Sequence, residues 1–147
     1  MPQPSVARSA PFSLAQRRNG VRQSLYTISY ASEPLAKRLS GKAGRSPVKL
    51  AAVPLDQLDG QVFDVVINGT AASLTGERPA LPDNLFASGS LAYDMVYSDC
   101  PTPFLRWSKE KGADRVTDGW GMLVEQAAAS FELWHDVRPD TVPVLRS

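Results

Sequence analysis

With 147 residues, 43% of them hydrophobic and 21% charged, and a formal net charge of +1, the chain has the makeup of one globular domain able to bury a core. That balance argues against a nucleic-acid or membrane-surface binder, and no apolar run approaches the ~18 residues of a transmembrane helix. One cysteine, Cys100, excludes an internal disulfide and suits a cytoplasmic location, and one cysteine with one histidine, His135, cannot build a zinc site of the usual kind.

The first 32 residues carry Arg8, Arg17, Arg18 and Arg22 and no acid, whereas 33–147 carry 12 basic and 15 acidic residues, a net of −3. An Arg- and Ser-rich, acid-poor start has the profile of an organelle transit peptide, and it lacks the apolar core of a secretory signal. The plainer expectation is a disordered leader over 1–24, with one domain over 25–147. LYTISY (25–30) reads as a strand, and 32–41 as a helix with Ser32 capping, Pro34 in the first turn and Gly41 closing it. A loop follows at 41–47, then a strand over 49–55. VFDVVINGT (62–70) is the clearest strand, a nearly continuous apolar run that suits burial on both faces of a parallel sheet. A Pro- and Gly-punctuated loop with room for one helical turn occupies 74–85, and LAYDMVY (91–97) is the next strand. TPFLRWSKEKG (102–112) has the pattern of a short amphipathic helix, 118–136 is the longest helix, and a Pro-interrupted tail ends the chain. Strands alternating with helices predict an α/β fold with a mainly parallel sheet and flanking helices.

Ligands of open α/β sheets lie beyond the carboxyl ends of the strands, which directs attention to two strand ends. Asn68-Gly69-Thr70 offers an amide, a hydroxyl and a glycine that lets backbone approach a ligand; taken alone, it reads as an Asn-Gly turn. Tyr93–Tyr97 either lines a cleft or covers the edge of the core, with Asp94 making a local turn bond. In the long helix Asp118 suits the N-cap, and Gly119 and Gly121 leave first-turn N–H groups uncovered for an anion or amide. Gly119, Met122 and Gln126 share one face, with Leu123 beside it, and Gln126 needs a partner if buried. Ala127, Ala128 and Ala129 suggest close packing. His135 at the helix end reads as a surface residue and Cys100 as inert. Gly119-Trp-Gly121 is no dinucleotide fingerprint, since Val124 stands where its third glycine belongs and no strand immediately precedes it.

Taken in order, FDVVINGTAAS (63–73), YDMVY followed by TPFLRW, DGWGMLVEQA and FELWHDVRPD resemble the carboxyl-terminal half of shikimate dehydrogenase. The resemblance is specific over residues 60–147 and loose over 25–60. It implies a partial Rossmann-like fold and the NADP-dependent interconversion of 3-dehydroshikimate and shikimate in aromatic amino-acid biosynthesis. Residue by residue, it places Met95 at the nicotinamide end of NADP, with Gly119, Met122 and Leu123 on the same side. Tyr97 and Gln126 fall to shikimate, and Asn68, Gly69 and Thr70 to a loop beside the cofactor.

Several parts of the family pattern have no counterpart here. These are the substrate domain with its Ser-x-Ser clamp and proton-handling lysine–aspartate pair, the first strand with its glycine-rich loop, and the Asn-Arg-Thr motif for the 2′-phosphate. The family's Ala-Thr-Ser has become Gly69-Thr70-Ala71, losing a hydroxyl. The expectation is a truncated chain with no catalytic residue of its own, weakly active or inactive and poorly soluble alone, whose residues 1–24 reflect a shifted reading frame or misplaced start. A homo-oligomer is open. The rival readings are a non-catalytic interaction module, which would use the Arg-rich leader, and a relative acting on quinate or using NAD.

Overall fold

The computed structural model describes residues 13–19, 22–28, 49–52 and 55–146, the first three segments as backbone only. The helix expected over 32–41, the loop at 41–47 and the first 12 residues of the leader lie outside the described residues. A six-stranded sheet runs in the order β3-β2-β1-β4-β5-β6, built from β1 (Ser13–Asn19), β2 (Arg22–Ile28), β3 (Lys49–Ala52), β4 (Phe63–Asn68), β5 (Phe86–Asp94) and β6 (Arg115–Thr117). The helices are α1 (Pro103–Glu110), α2 (Trp120–His135) and the short α3 (Val142–Leu145). None among the described residues is long and apolar enough to cross a membrane.

The parallel α/β expectation holds for β4, β5 and β6, which pair parallel, as do β2 and β3. The centre of the sheet differs. A missing first strand was expected there, yet Ser13–Asn19, from the segment read as a leader, fills the slot and runs antiparallel to both β2 and β4. The physical reason is that two neighbouring strand edges with unpaired N–H and C=O groups bind any extended segment that reaches them. Asn19 pairs with Arg22, so β1 and β2 are neighbours both in sequence and in the sheet.

The core lies between β4, β5 and α1. Leu58, Phe63, Val66, Leu85, Ala92, Phe104, Leu105 and Trp107 are buried together. Helix α1 forms where expected because Thr102 caps it, its Oγ1 accepting from Leu105 N at 3.3 Å, and Pro103 suits the first turn. Phe104, Leu105 and Trp107 then face the sheet, each contributing about 2 kcal/mol of apolar burial. Gly112, at φ 98°, ends the turn that follows.

Strand β4 is buried at Phe63, Val66 and Asn68, a spacing broken by a register shift between Phe63 and Val65. Its remaining residues are half-buried, not closed as the apolar run suggested; α2 buries only Ala128 of its sixteen residues. Burial of Ala128 alone also limits the close packing expected of the three alanines.

Strand β5 begins at Phe86, five residues before the expected start, and ends at Asp94, three before the expected end. The early stop has a local cause: Asp94 Oδ1 accepts from Val96 N at 3.1 Å, folding the backbone into a turn. Arg115–Thr117 and Val142–Leu145 were not anticipated as elements.

Candidate functional site

Because β4 and β5 are parallel and in register, Asn68 stands opposite Asp94 at the same edge of the sheet. Both are fully buried. A carboxylate in that position needs donors, and four converge on it. Asn68 Nδ2 and Val96 N donate to Oδ1 at 3.2 and 3.1 Å; Ser73 Oγ and Thr102 Oγ1 donate to Oδ2 at 2.7 and 2.6 Å. One side chain therefore joins the end of β4, the 3-10 turn Ala72–Thr75, the end of β5 and the cap of α1.

The loop after β4 is organised from the same point. Asn68 Oδ1 accepts from Thr70 N at 3.1 Å, and Thr70 Oγ1 accepts from Ala72 N at 3.2 Å. The amide and hydroxyl expected to face a ligand are thus bonded inward and shape the loop. Met95 N donates to Asn68 O at 2.9 Å, which keeps the two strand ends level.

Past Asp94 the chain emerges. Met95 and Tyr97 are 41% and 50% exposed, and α2 begins beside them. Asp118 was expected to cap that helix; the cap position belongs to Gly119, one residue later, while Asp118 Oδ1 accepts from Trp120 N at 3.1 Å. Gly119 is buried against the backbone of Met95, and its N–H donates to Val96 O at 3.4 Å. The Tyr97 and Trp120 rings stand 6.0 Å apart. Tyr93, on β5, has its pKa raised above 10.0 by burial against the sheet and, secondarily, by the Asp118 carboxylate.

The structure therefore brings Asn68, Gly69, Thr70, Met95, Tyr97 and Gly119 to one edge. Met122 and Gln126 continue along α2 and are exposed, so Gln126 needs no buried partner. Leu123 lines a groove of about 380 Å³ between α2 and α3, with Trp120, Val124, Phe131 and Val144. His135 lies against the Phe131 ring, 4.4 Å between centroids, and Cys100 is exposed. Asp94 with Ser73 and Thr102 was missed as a hub; the available signal was a strand-end aspartate level with a strand-end asparagine.

A sequence profile described as the shikimate 5′-dehydrogenase C-terminal domain matches residues 119–147, which are α2, its glycine cap and α3. The NADP(+)-type shikimate dehydrogenase of Alkalilimnicola ehrlichii is 59% identical over 97 residues, 66% of this chain and 36% of its own length. The chain is related to the C-terminal portion of shikimate dehydrogenases. A crystal structure of an Ael1 enzyme from Pseudomonas putida superposes with a TM-score of 0.63 at 43% identity, over 76% of this chain and 41% of that one. Shikimate 5-dehydrogenase from Thermus thermophilus, solved in complex with NADP(H) and shikimate, superposes with a TM-score of 0.57 at 30% identity, over 80% and 42%. The chain spans about a third to a half of the length of the curated shikimate dehydrogenases it matches.

Proposed function

We propose that this chain carries one wall of a shikimate dehydrogenase-type site, the wall that meets the nicotinamide of NADP and one side of shikimate or 3-dehydroshikimate. The observation that carries the reading is the seat of Gly119 on the Met95 backbone, which fixes the start of α2 against the end of β5. Met95, Gly119, Met122 and Leu123 would hold the nicotinamide, and the backbone of Asn68-Gly69-Thr70 would pass beside it. The Tyr97 hydroxyl and the Gln126 amide are both able to donate and accept, which suits a substrate bearing several hydroxyls.

When bound, NADP supplies the hydride chemistry; the residues of this chain bind and orient. Moving the hydroxyl proton needs a positioned acid or base. Lys109 Nζ donates to Asp114 O at 2.9 Å and Lys111 pairs with Asp83 at 2.7 Å, so these two lysines are held by α1 and its neighbouring loops, away from the edge. Neither of these two described lysines is placed to move that proton, and the chain alone is expected not to turn over shikimate.

The test is a chimera in which residues 60–147 replace the matching portion of the Alkalilimnicola ehrlichii enzyme. Shikimate-dependent reduction of NADP+ by the chimera is expected, with kcat/KM about tenfold lower for Tyr97→Phe, the size of one lost hydrogen bond to a bound hydroxyl. A soluble, folded chimera with no activity would reject the reading. It would favour an interaction module, for which the exposed Leu133 and Trp134 of α2 are one apolar surface among the described residues.

A further inference from the structure

We infer that β1 is a reversed substitute for the central strand of a dinucleotide-binding sheet, and that its reversal removes the place where a pyrophosphate would sit, so that the described residues offer no saturable NADP site. Only the identity of the cofactor rests on the reading above. The rest follows from strand polarity and from where the backbone donors point.

In a sheet of this order the ligand lies beyond the carboxyl ends of the parallel strands. The pyrophosphate is held where the central strand leaves through a glycine loop into a helix N-terminus. Strands β2, β3, β4, β5 and β6 all share one direction, so they have a common carboxyl edge. β1 opposes them. At that edge the central slot presents Ser13, level with Asn68, where a strand should be leaving. The carboxyl end of β1 is at the opposite edge, about 20 Å away at the rise of an extended chain. There Asn19 pairs with Arg22, the first residue of β2, a separation in sequence too short for a helix. The positions of Arg17, Arg18 and Arg22 are in register towards that far end, not at the carboxyl edge.

Among the described residues, four further backbone donors at the carboxyl edge are already engaged. Behind β4, Thr70 N and Ala72 N are taken by Asn68 Oδ1 and Thr70 Oγ1. At the start of α2, Gly119 N is taken by Val96 O, and Trp120 N by the carboxylate of Asp118, which would also repel a phosphate. The proposed nicotinamide wall would remain, and the described residues do not fit the remainder of the dinucleotide.

Two measurements decide the matter. Titration of the 147-residue chain with NADP+, followed by tryptophan fluorescence and by calorimetry, should show no saturation up to about 1 mM, the upper end of ordinary enzyme affinities. The chimera, whose central strand and glycine loop come from its relative, should saturate below that. Strand direction is read separately by oxidative crosslinking in a Cys100→Ser background. Ala15→Cys with Val66→Cys, or in case that pair misfolds Gln16→Cys with Val65→Cys, should link, because these residues face each other. Asn19→Cys with Ile67→Cys should not, being displaced by about 17 Å where a disulfide needs Cα atoms within about 7 Å. Saturable NADP+ binding by the chain, a 19–67 link, or failure of both expected links in folded protein would overturn the inference. An inactive chimera would overturn the proposed function and leave the strand polarity standing.

Discussion

Gly119 lies so close to Met95 that a Cβ added to it would fall 2.8 Å from the Met95 carbonyl carbon and closer still to its oxygen. Both partners are backbone, so neither has a flexible side chain able to swing away. Gly119→Ala must push the start of α2 off the end of β5, at a cost of about 1–3 kcal/mol. Gly121, two residues on, has open space where its Cβ would be and lies within the helix. Gly121→Ala should therefore stabilise by about 0.5–1 kcal/mol. Urea unfolding of the two variants side by side checks the contrast; equal effects would mean the Met95 contact does not hold α2 in place.

Asp94 should be the most sensitive polar position of the described core. Asp94→Ala would remove the acceptor shared by Asn68, Ser73, Thr102 and Val96, with the Asn68 and Thr102 bonds buried. The loss should be about 3 kcal/mol or more, since each buried donor left unpaired carries its own desolvation cost. Ser73→Ala, which removes one donor and leaves three, should cost about 1 kcal/mol. Urea midpoints at unchanged slope test both; a mild Asp94→Ala would show that the four bonds add little to what water provides.

The sequence made some of this legible and hid the rest for identifiable reasons. β4, α1 and α2 carried their own signals: a continuous apolar run, a Thr-Pro cap before Phe104, Leu105 and Trp107, and a long run of good helix formers. The first half of β5 did not, because Ser88-Gly89-Ser90 reads as a turn. The strand runs through it with Gly89 at φ 78°, its N–H donating to the Asp114 carboxylate. Pro143 reads as a breaker, yet it sits in the first turn of α3, where a proline lacks nothing the helix needs. β1 has four consecutive polar residues, Gln16 to Asn19, and owes its place to neighbours on both sides. Strand-end logic pointed to Asn68-Gly69-Thr70 and to Tyr93–Tyr97, and the first turn of the long helix pointed to Gly119. It could not find the inward turn of the Asn68 amide, because Ser73 and Thr102 reach Asp94 from other parts of the chain.

Tyr93 predicts an alkaline weakness. Its folded pKa lies above the ordinary 10.0 because burial, and then Asp118, disfavour the phenolate. The folded state holds this proton more tightly than the unfolded state. Its contribution is therefore complete below about pH 10 and is lost as pH rises through the higher folded value. Absorbance titration of the phenols should show one tyrosine ionising after the others, and Tyr93→Phe should remove that late phase and flatten the fall in stability above about pH 10. An unchanged titration curve in Tyr93→Phe would reject the assignment.

The C-terminal tail is held to α2 by charge more than by packing, and acid should release it. Glu125 accepts from Thr141 Oγ1 at 2.6 Å and from Arg138 at 2.7 Å, and Arg138 also pairs with Glu132 at 2.8 Å. The Thr141 hydroxyl, followed by Arg138, holds the Glu125 pKa below its ordinary value of 4.5. A depressed folded pKa places the stabilisation above the unfolded value and removes it as pH falls through the folded one. Backbone chemical shifts of Thr141–Leu145 should therefore move together on acidification below about pH 4, before the core resonances change. Salt near about 1 M should weaken the Arg138 pairs while leaving the Thr141 bond in place, because screening acts on exposed charges and scarcely on a short hydroxyl contact. Arg138→Ala should then reproduce the effect of salt, and Thr141→Val with Arg138→Ala should bring the acid-released shifts to neutral pH. Midpoints of global unfolding should barely move in either variant, since exposed ion pairs add little to overall stability. Tail shifts that follow the core through acid unfolding would instead make α3 part of one cooperative unit with the sheet.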